Sequence, residues 1–226
     1  MIKIALQKTD FSSRESLAMT DICVRKNIPF RVVEYGSDVS PDDTPVGSVE
    51  FVESAIGKSF KPEYHPVWLK EFVKRKTWTS EFWPEEDCYV KPNDLYKIFA
   101  NTYSFDAPFN KDFSKEYFCQ EAVEVRNEWR IYVSNGKVWN CSWYQGPDED
   151  KEFDQNILKN IVDKIPKGWY GTIDMMETED GIQLCECHHP YAIGWYGDSC
   201  ENGKYFDFIV NGYKYLKNCE NTGVQS

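Results

Sequence analysis

Runs of apolar residues divide the chain into two parts with different rhythms. Residues 2–7 form a short apolar run of strand length. Residues 13–27 carry helix signals, with Ser12 or Ser13 as N-cap and Glu15 in the first turn. Residues 29–35 read as a second strand and 46–51 as a weak third, with a short helical stretch at 52–56. The segment 37–45 (SDVSPDDTP) reads as a polar loop. Strand, helix and strand joined by short connections predict a small parallel α/β unit. Residues 62–76 have apolar positions at Val67, Leu69, Phe72 and Val73 and form a helix candidate. The cluster Trp83-Pro84-Glu85-Glu86-Asp87 marks a boundary.

Beyond it the alternation is that of antiparallel strands. Residues 88–92 (CYVKP) and 117–125 (YFCQEAVEV) are strands. Two alternating runs, 128–134 and 137–144, flank Asn135-Gly136, the strongest short hairpin signal. Residues 153–165 form an amphipathic helix, with Ile157, Leu158, Ile161, Val162 and Ile165 on one face and Pro166 beyond. A second hairpin follows, then an aromatic-rich element at 205–216 and a frayed end. The expected fold class is α/β plus α+β. The expected domains are 1–85 and 86–217, with a flexible tail at 218–226.

The second hairpin, GTIDMMETEDGIQLCECHHP, holds the most informative pair. Ile173, Met175, Met176, Ile182 and Leu184 flank the turn signal Glu179-Asp180-Gly181. A three-residue loop with Gly181 in the left-handed position sets Thr178 opposite Ile182 and Asp174 opposite Glu186. The two carboxylates then share a face, as does His188 two residues on, while Cys185 and Cys187 face away. Like charges directly opposite destabilise a sheet. A divalent cation removes that cost, and oxygen-rich sites suit Mg²⁺ or Mn²⁺. A two-residue Asp180-Gly181 turn is the alternative. It shifts the register by one and puts the acids on opposite faces.

Other groups carry weaker signals. Lys91 ends a strand before Pro92, and Lys97 lies six residues on, so the two could hold phosphate oxygens as point charges or be ordinary surface lysines. Arg130 lies mid-strand on the face of Glu128 and Tyr132 and calls for either an acid partner or an anionic ligand. Cys185-x-Cys187-His188-His189 offers soft ligands, but its spacing disfavours structural zinc. No nucleophile triad, GxxxxGK[ST] or GxGxxG occurs. The late aromatics Tyr191, Trp195, Tyr196, Tyr205 and Phe206 fit either a pocket lining or core.

Composition narrows the classes. The chain has 226 residues, 41% hydrophobic and 16% aromatic, which is globular. A net charge of −11 disfavours broad nucleic-acid binding, which needs a basic surface, although 70–76 is a local basic patch. No stretch reaches the roughly 18–20 apolar residues of a membrane span, and the N-terminus lacks a signal-peptide pattern. Eight scattered cysteines fit reduced thiols in a cytosolic protein.

Taken in order, these pieces resemble the ATP-grasp superfamily from about Tyr89 to Leu216. The resemblance rests on Lys91 in YVKP, Lys97 in LYKIF, the hinge-like strand YFCQEAVEV, EWRIYV, and then Asp174, Glu186 and His188. It is strongest to the small clade of phage and bacterial proteins named for one arginine and two lysines. The resemblance implies an ATP-grasp fold preceded by a small N-terminal pre-ATP-grasp α/β domain. It implies that Lys91 and Lys97 contact phosphates and that Glu121, Ala122 and Val123 bond the adenine edge. Glu128 would take the ribose, and Arg130 would clamp phosphate or an acyl phosphate, making Arg130 and Lys97 the catalytic residues. Asp174, Glu186 and His188 would hold Mg²⁺ or Mn²⁺. Two positions depart from the pattern: His188 stands where asparagine is usual, and the phosphate loop at 99–108 contains no glycine.

The implied activity is ADP-forming carboxylate–amine ligation of small-molecule or peptide substrates through an acyl phosphate. An ATP-dependent phosphotransferase or a non-catalytic nucleotide-binding module are the alternatives. No nucleic acid or membrane partner is expected. The expected setting is the cytoplasm, that of the host for a phage-encoded protein.

Overall fold

A computed structural model describes residues 2–94, 102–106 and 114–219. The first unit contains β1 (Lys3–Gln7), α1 (Arg14–Arg25), β2 (Phe30–Val33), β3 (Asp43–Val46) and α2 (Val49–Ile56). Its strands form a parallel sheet in the order β2-β1-β3. Ile4, Ala5 and Leu6 of the central strand are fully buried, as a strand covered on both faces requires. Ser13 is the cap of α1, accepting from the Ser16 N–H.

The third strand differs from expectation. It lies at Asp43–Val46, all but Val46 inside the segment read as a polar loop, and the residues read as its second half belong to α2. Two side chains shift the boundary. Arg31 Nε donates to Asp43 at 2.9 Å and holds the polar start of β3, while Ser48 caps α2 by accepting from the Phe51 N–H. The expected helix at 62–76 is only a 3₁₀ turn at Val67–Phe72, opened by Pro66 in extended conformation. Pro62 and Pro66 both disfavour helix in the residue before them.

Two antiparallel sheets follow. One has the order β4-β7-β5-β6 and contains β4 (Thr77–Ser80), β5 (Cys88–Pro92), β6 (Thr102–Tyr103) and β7 (Tyr117–Glu121). Its first strand, β4, precedes the Trp83–Asp87 cluster in sequence. The strand read as 117–125 ends at Glu121, and 122–126 leads irregularly into the next sheet. That sheet has the order β11-β10-β8-β9. β8 (Asn127–Ser134) and β9 (Lys137–Gln145) meet at Asn135-Gly136, both with positive φ, the geometry of a two-residue hairpin turn. α3 (Gln155–Val162) is capped by Asp154, whose carboxylate accepts from Asn156 and Ile157, so it starts later than 153. β10 (Gly171–Thr178) and β11 (Gly181–His188) form the second hairpin, and α4 (Asn202–Asn218) closes the chain.

Alternation gives the last sheet two unlike faces. Trp129, Ile131, Val133, Ile173, Met175, Leu184 and Cys187 form one core with Ile161 of α3. Arg130, Thr172 and Asp174 face the other way and are buried too. α4 joins the units: Tyr205, Phe208 and Ile209 pack against Ile4, Leu6 and Met19 and also against Tyr132 of β8. Trp195, Tyr205 and Phe206 are therefore core residues, not pocket lining.

Glu15, in the first turn of α1, is 3% exposed within this junction. Burial raises its carboxyl to about 7, and the Gly194 N–H only partly offsets that. The folded state therefore holds this proton more tightly than the unfolded chain. The associated stability is fully present below pH 4.5 and is lost as pH rises through about 7. Urea unfolding should show a loss of about 3 kcal/mol between pH 4.5 and pH 8 from this group. Glu15→Gln should flatten that part of the profile. An unchanged profile in the variant would show that Glu15 is not its source.

Candidate active site

A bulge in the second hairpin builds the site. Gly181 takes the left-handed conformation, but Thr178 pairs with Gly181 and not with Ile182. The register starts one residue away from that expected. It is restored between Asp174 and Met175, where Cys185 is the extra residue, so Asp174 does face Glu186. The bulge also turns Cys185 toward the site, its Sγ 3.7 Å from Glu128 Oε1, contrary to the expected alternation. Cys187 points into the apolar core, and His189 Nε2 donates to the Lys61 carbonyl. These residues do not converge on zinc.

Asp174, Glu186 and His188 each offer a ligand atom within 4.8 Å of the others. His188 Nε2 lies 3.3 Å from Asp174 and 3.5 Å from Glu186. It is buried and aligned with neither as a hydrogen bond. A buried imidazole nitrogen aimed between two carboxylates fits a divalent cation of the Mg²⁺ or Mn²⁺ kind, with nitrogen favouring Mn²⁺. Burial disfavours the His188 cation, but Glu186 and Asp174 outweigh it and raise its pKa.

The carboxylates are held by cations. Arg130, facing Asp174 across β8 and β10, donates Nε at 2.8 Å and Nη2 at 2.6 Å to its two oxygens. The acid partner of Arg130 is thus Asp174 on the neighbouring strand. Lys91 reaches from β5 of the other sheet to Glu186 at 2.7 Å. Burial raises both carboxyls, but Arg130 draws Asp174 below its usual range and Lys91 draws Glu186 well below. The Arg130 guanidinium lies 5.3 Å from the Tyr144 and Tyr196 rings, which stack on each other at 4.9 Å. Lys91 Nζ lies 5.1 Å from the Tyr64 ring.

The remaining expected residues fall around this cluster. Glu128 shares the face of Arg130, and burial with the nearby Asp174 raises its carboxyl. Glu121 ends β7; its backbone N–H donates to Lys76 O, and its side chain accepts from the Lys76 N–H. Ala122 and Val123 follow, half-buried, in the connection between the two antiparallel sheets. Lys97 and half of the 99–108 loop, residues 99–101 and 107–108, lie outside the described residues.

Residues 63–207, well over half of the chain, match the ATP-grasp domain of the second family in the clade named for one arginine and two lysines. The chain belongs to that family. Similar solved structures include a RimK domain ATP-grasp protein from Sphaerobacter thermophilus, at 10% identity and TM-score 0.54. The match covers 94% of this chain and 98% of that chain. The D-alanine–D-alanine ligase from Bacillus anthracis complexed with ATP matches at 12% identity and TM-score 0.54, covering 97% of this chain and 99% of that chain. At such identities these likenesses establish the ATP-grasp fold alone. No curated protein matches the sequence.

In this ATP-grasp chain, Arg75 matters to the site although it reads as part of a solvated basic run. It is buried and donates to Gln120 Oε1, Gln183 Oε1, Leu184 O and Cys185 O. It thus ties both carbonyls of the bulge to β7 of the other sheet. Nothing in KRK separates this arginine from its exposed neighbours. Arg75→Met would strand several buried acceptors at about 1–3 kcal/mol each. Urea denaturation should show a loss of about 3 kcal/mol or more. A loss under about 1 kcal/mol would contradict the pinning role.

Proposed function

We propose that the protein is an ATP-dependent carboxylate–amine ligase, ADP-forming, that works through an acyl phosphate on a small-molecule or peptide carboxylate. The observation that carries this reading is the convergence of Lys91 from one sheet and Arg130, Asp174, Glu186 and His188 from the other. Phosphoryl transfer needs cations around a developing anionic charge and no protein nucleophile. This cluster supplies cations and metal-ligand atoms.

Lys91 gives a point charge to phosphate oxygens, and Arg130 gives a planar fork suited to phosphate or acyl phosphate. Lys97 serves as the second phosphate lysine, Glu121 to Val123 take the adenine edge, and Glu128 takes the ribose hydroxyls. Asp174, Glu186 and His188 hold Mg²⁺ or Mn²⁺, which supplies charge neutralisation at the phosphates when bound. Without ligands, Lys91 and Arg130 neutralise the metal-binding carboxylates; with nucleotide they turn to the phosphates. In the first step the substrate carboxylate oxygen bonds to the γ-phosphorus and the bond to ADP breaks. In the second the amine nitrogen bonds to the acyl carbon, a proton leaves, and inorganic phosphate departs.

Among the described residues no helix is long and apolar enough to cross a membrane, and all eight cysteines are unpaired. A cytoplasmic setting accords with those thiols.

Isothermal titration of ATP with Mg²⁺ tests the nucleotide site. Wild type should bind in the micromolar range, about −8 kcal/mol, and a Lys91→Ala/Glu186→Ala double variant should lose detectable binding. Folded wild type that binds no ATP with either Mg²⁺ or Mn²⁺ would overturn the ligase reading.

A further inference from the structure

Next to His188 lies a cavity of about 50 Å³, walled by Phe60, Tyr64, His189 and Tyr191, with Glu53 of α2 on its lining. That is several times the roughly 10–15 Å³ one water needs, and it suits a charged head on a short stem. Glu53 is 9% exposed. Its Oε1 accepts from the Phe60 N–H at 3.2 Å and the Tyr191 hydroxyl at 2.8 Å, so the carboxyl is fixed in place. Among the described residues no lysine, arginine or histidine pairs with it. Buried acids are almost always paired, so a carboxylate held this way on a cavity wall lacks a cation.

The aromatic walls point to the same ligand. Phe60 lies 6.0 Å from Tyr191 and 5.5 Å from His189, and His189 and Tyr191 stack with planes 7° apart. Aromatic faces around a carboxylate are the surroundings that bind ammonium groups by cation–π attraction. Tyr64 already has the Lys91 ammonium over its ring. Tyr64 and His188 line the cavity and also touch the cluster, Tyr64 beneath the Lys91 ammonium and His188 Nε2 3.5 Å from Glu186, so the cavity adjoins the phosphate-handling cluster.

We infer that the Glu53 cavity is the recognition subsite for the ammonium group of a small amine substrate that carries a second nitrogen, the second, unprotonated one being the nucleophile of the ligation step. This names the amine class for the proposed ligase and rests on that reading only for the word substrate; the binding itself does not depend on it.

The probes are n-propylammonium chloride, 1-propanol and potassium chloride, titrated into the full chain in sodium buffer with and without ATP and Mg²⁺. Wild type should bind propylammonium, and neither the neutral alcohol nor potassium should bind or displace it. Glu53→Gln, which keeps an oxygen acceptor, should weaken propylammonium binding at least tenfold while leaving ATP affinity within twofold. Phe60→Leu, which removes one aromatic wall without touching the carboxylate, should weaken it severalfold and serves if Glu53→Gln does not fold. Equal affinity in the variants, or no propylammonium binding by folded wild type, would overturn the inference. Displacement by potassium would reassign the cavity to an alkali cation and also overturn it. Failure to bind ATP would strike the ligase reading alone, since ammonium binding is read separately.

Discussion

Two buried ion pairs organise this molecule, Arg130 with Asp174 and Lys91 with Glu186. Taking charges out of water costs several kcal/mol per ion, and attraction repays that only when geometry is good and other hydrogen bonds are made. Here the geometry is good: a bidentate fork at 2.8 and 2.6 Å, and a lysine contact at 2.7 Å. The first pair lies within one sheet and the second crosses between sheets, so the arrangement ties the two antiparallel sheets together. Removing one partner alone leaves an uncompensated buried charge, typically about 3–5 kcal/mol. The proposed site, which would bring metal and phosphate together, would gain from this design, because both signs of charge are already positioned.

The supporting structure serves that requirement. β10 is central in its sheet, flanked by β8 and β11, so Asp174 faces both Arg130 and Glu186. The opposite face of the same strands is apolar and packs on α3, which holds the polar face rigid. Arg75 fastens the bulge carbonyls to Gln120 of the other sheet, and Tyr144 and Tyr196 cover Arg130. Together these explain how Lys91, Arg130, Asp174, Glu186 and His188 remain ordered at the junction of two sheets.

Much of this was legible in the residues. Asn135-Gly136, the apolar stripe of α3 and the β1–α1–β2 alternation depend on local chemistry, and they stand where the pattern puts them. The facing of Asp174 and Glu186 was also reached, but through a different geometry: the turn sets one register and the bulge at Cys185 corrects it. A bulge is settled by what its carbonyls bond to, here Arg75 and His65, which lie over a hundred residues away. The same limit hid β3. Its residues look like a loop because Asp43 and Pro45 are poor strand formers, and only Arg31 and pairing with β1 make Asp43–Val46 a strand. Arg75 itself reads as surface, because burial of an arginine depends on distant acceptors and not on its neighbours.

The ion pairs as place-holders are tested most directly by Mn²⁺ binding without nucleotide, followed by electron paramagnetic resonance of the full chain. Lys91→Met removes the cation that occupies Glu186 while leaving Asp174, Glu186 and His188 intact. If Lys91 stands in for the metal, the variant should bind Mn²⁺ about tenfold or more tightly than wild type, from loss of a like charge at contact distance. Unchanged or weaker Mn²⁺ binding in a folded Lys91→Met variant would contradict the exchange of partners on which this reading of the site depends.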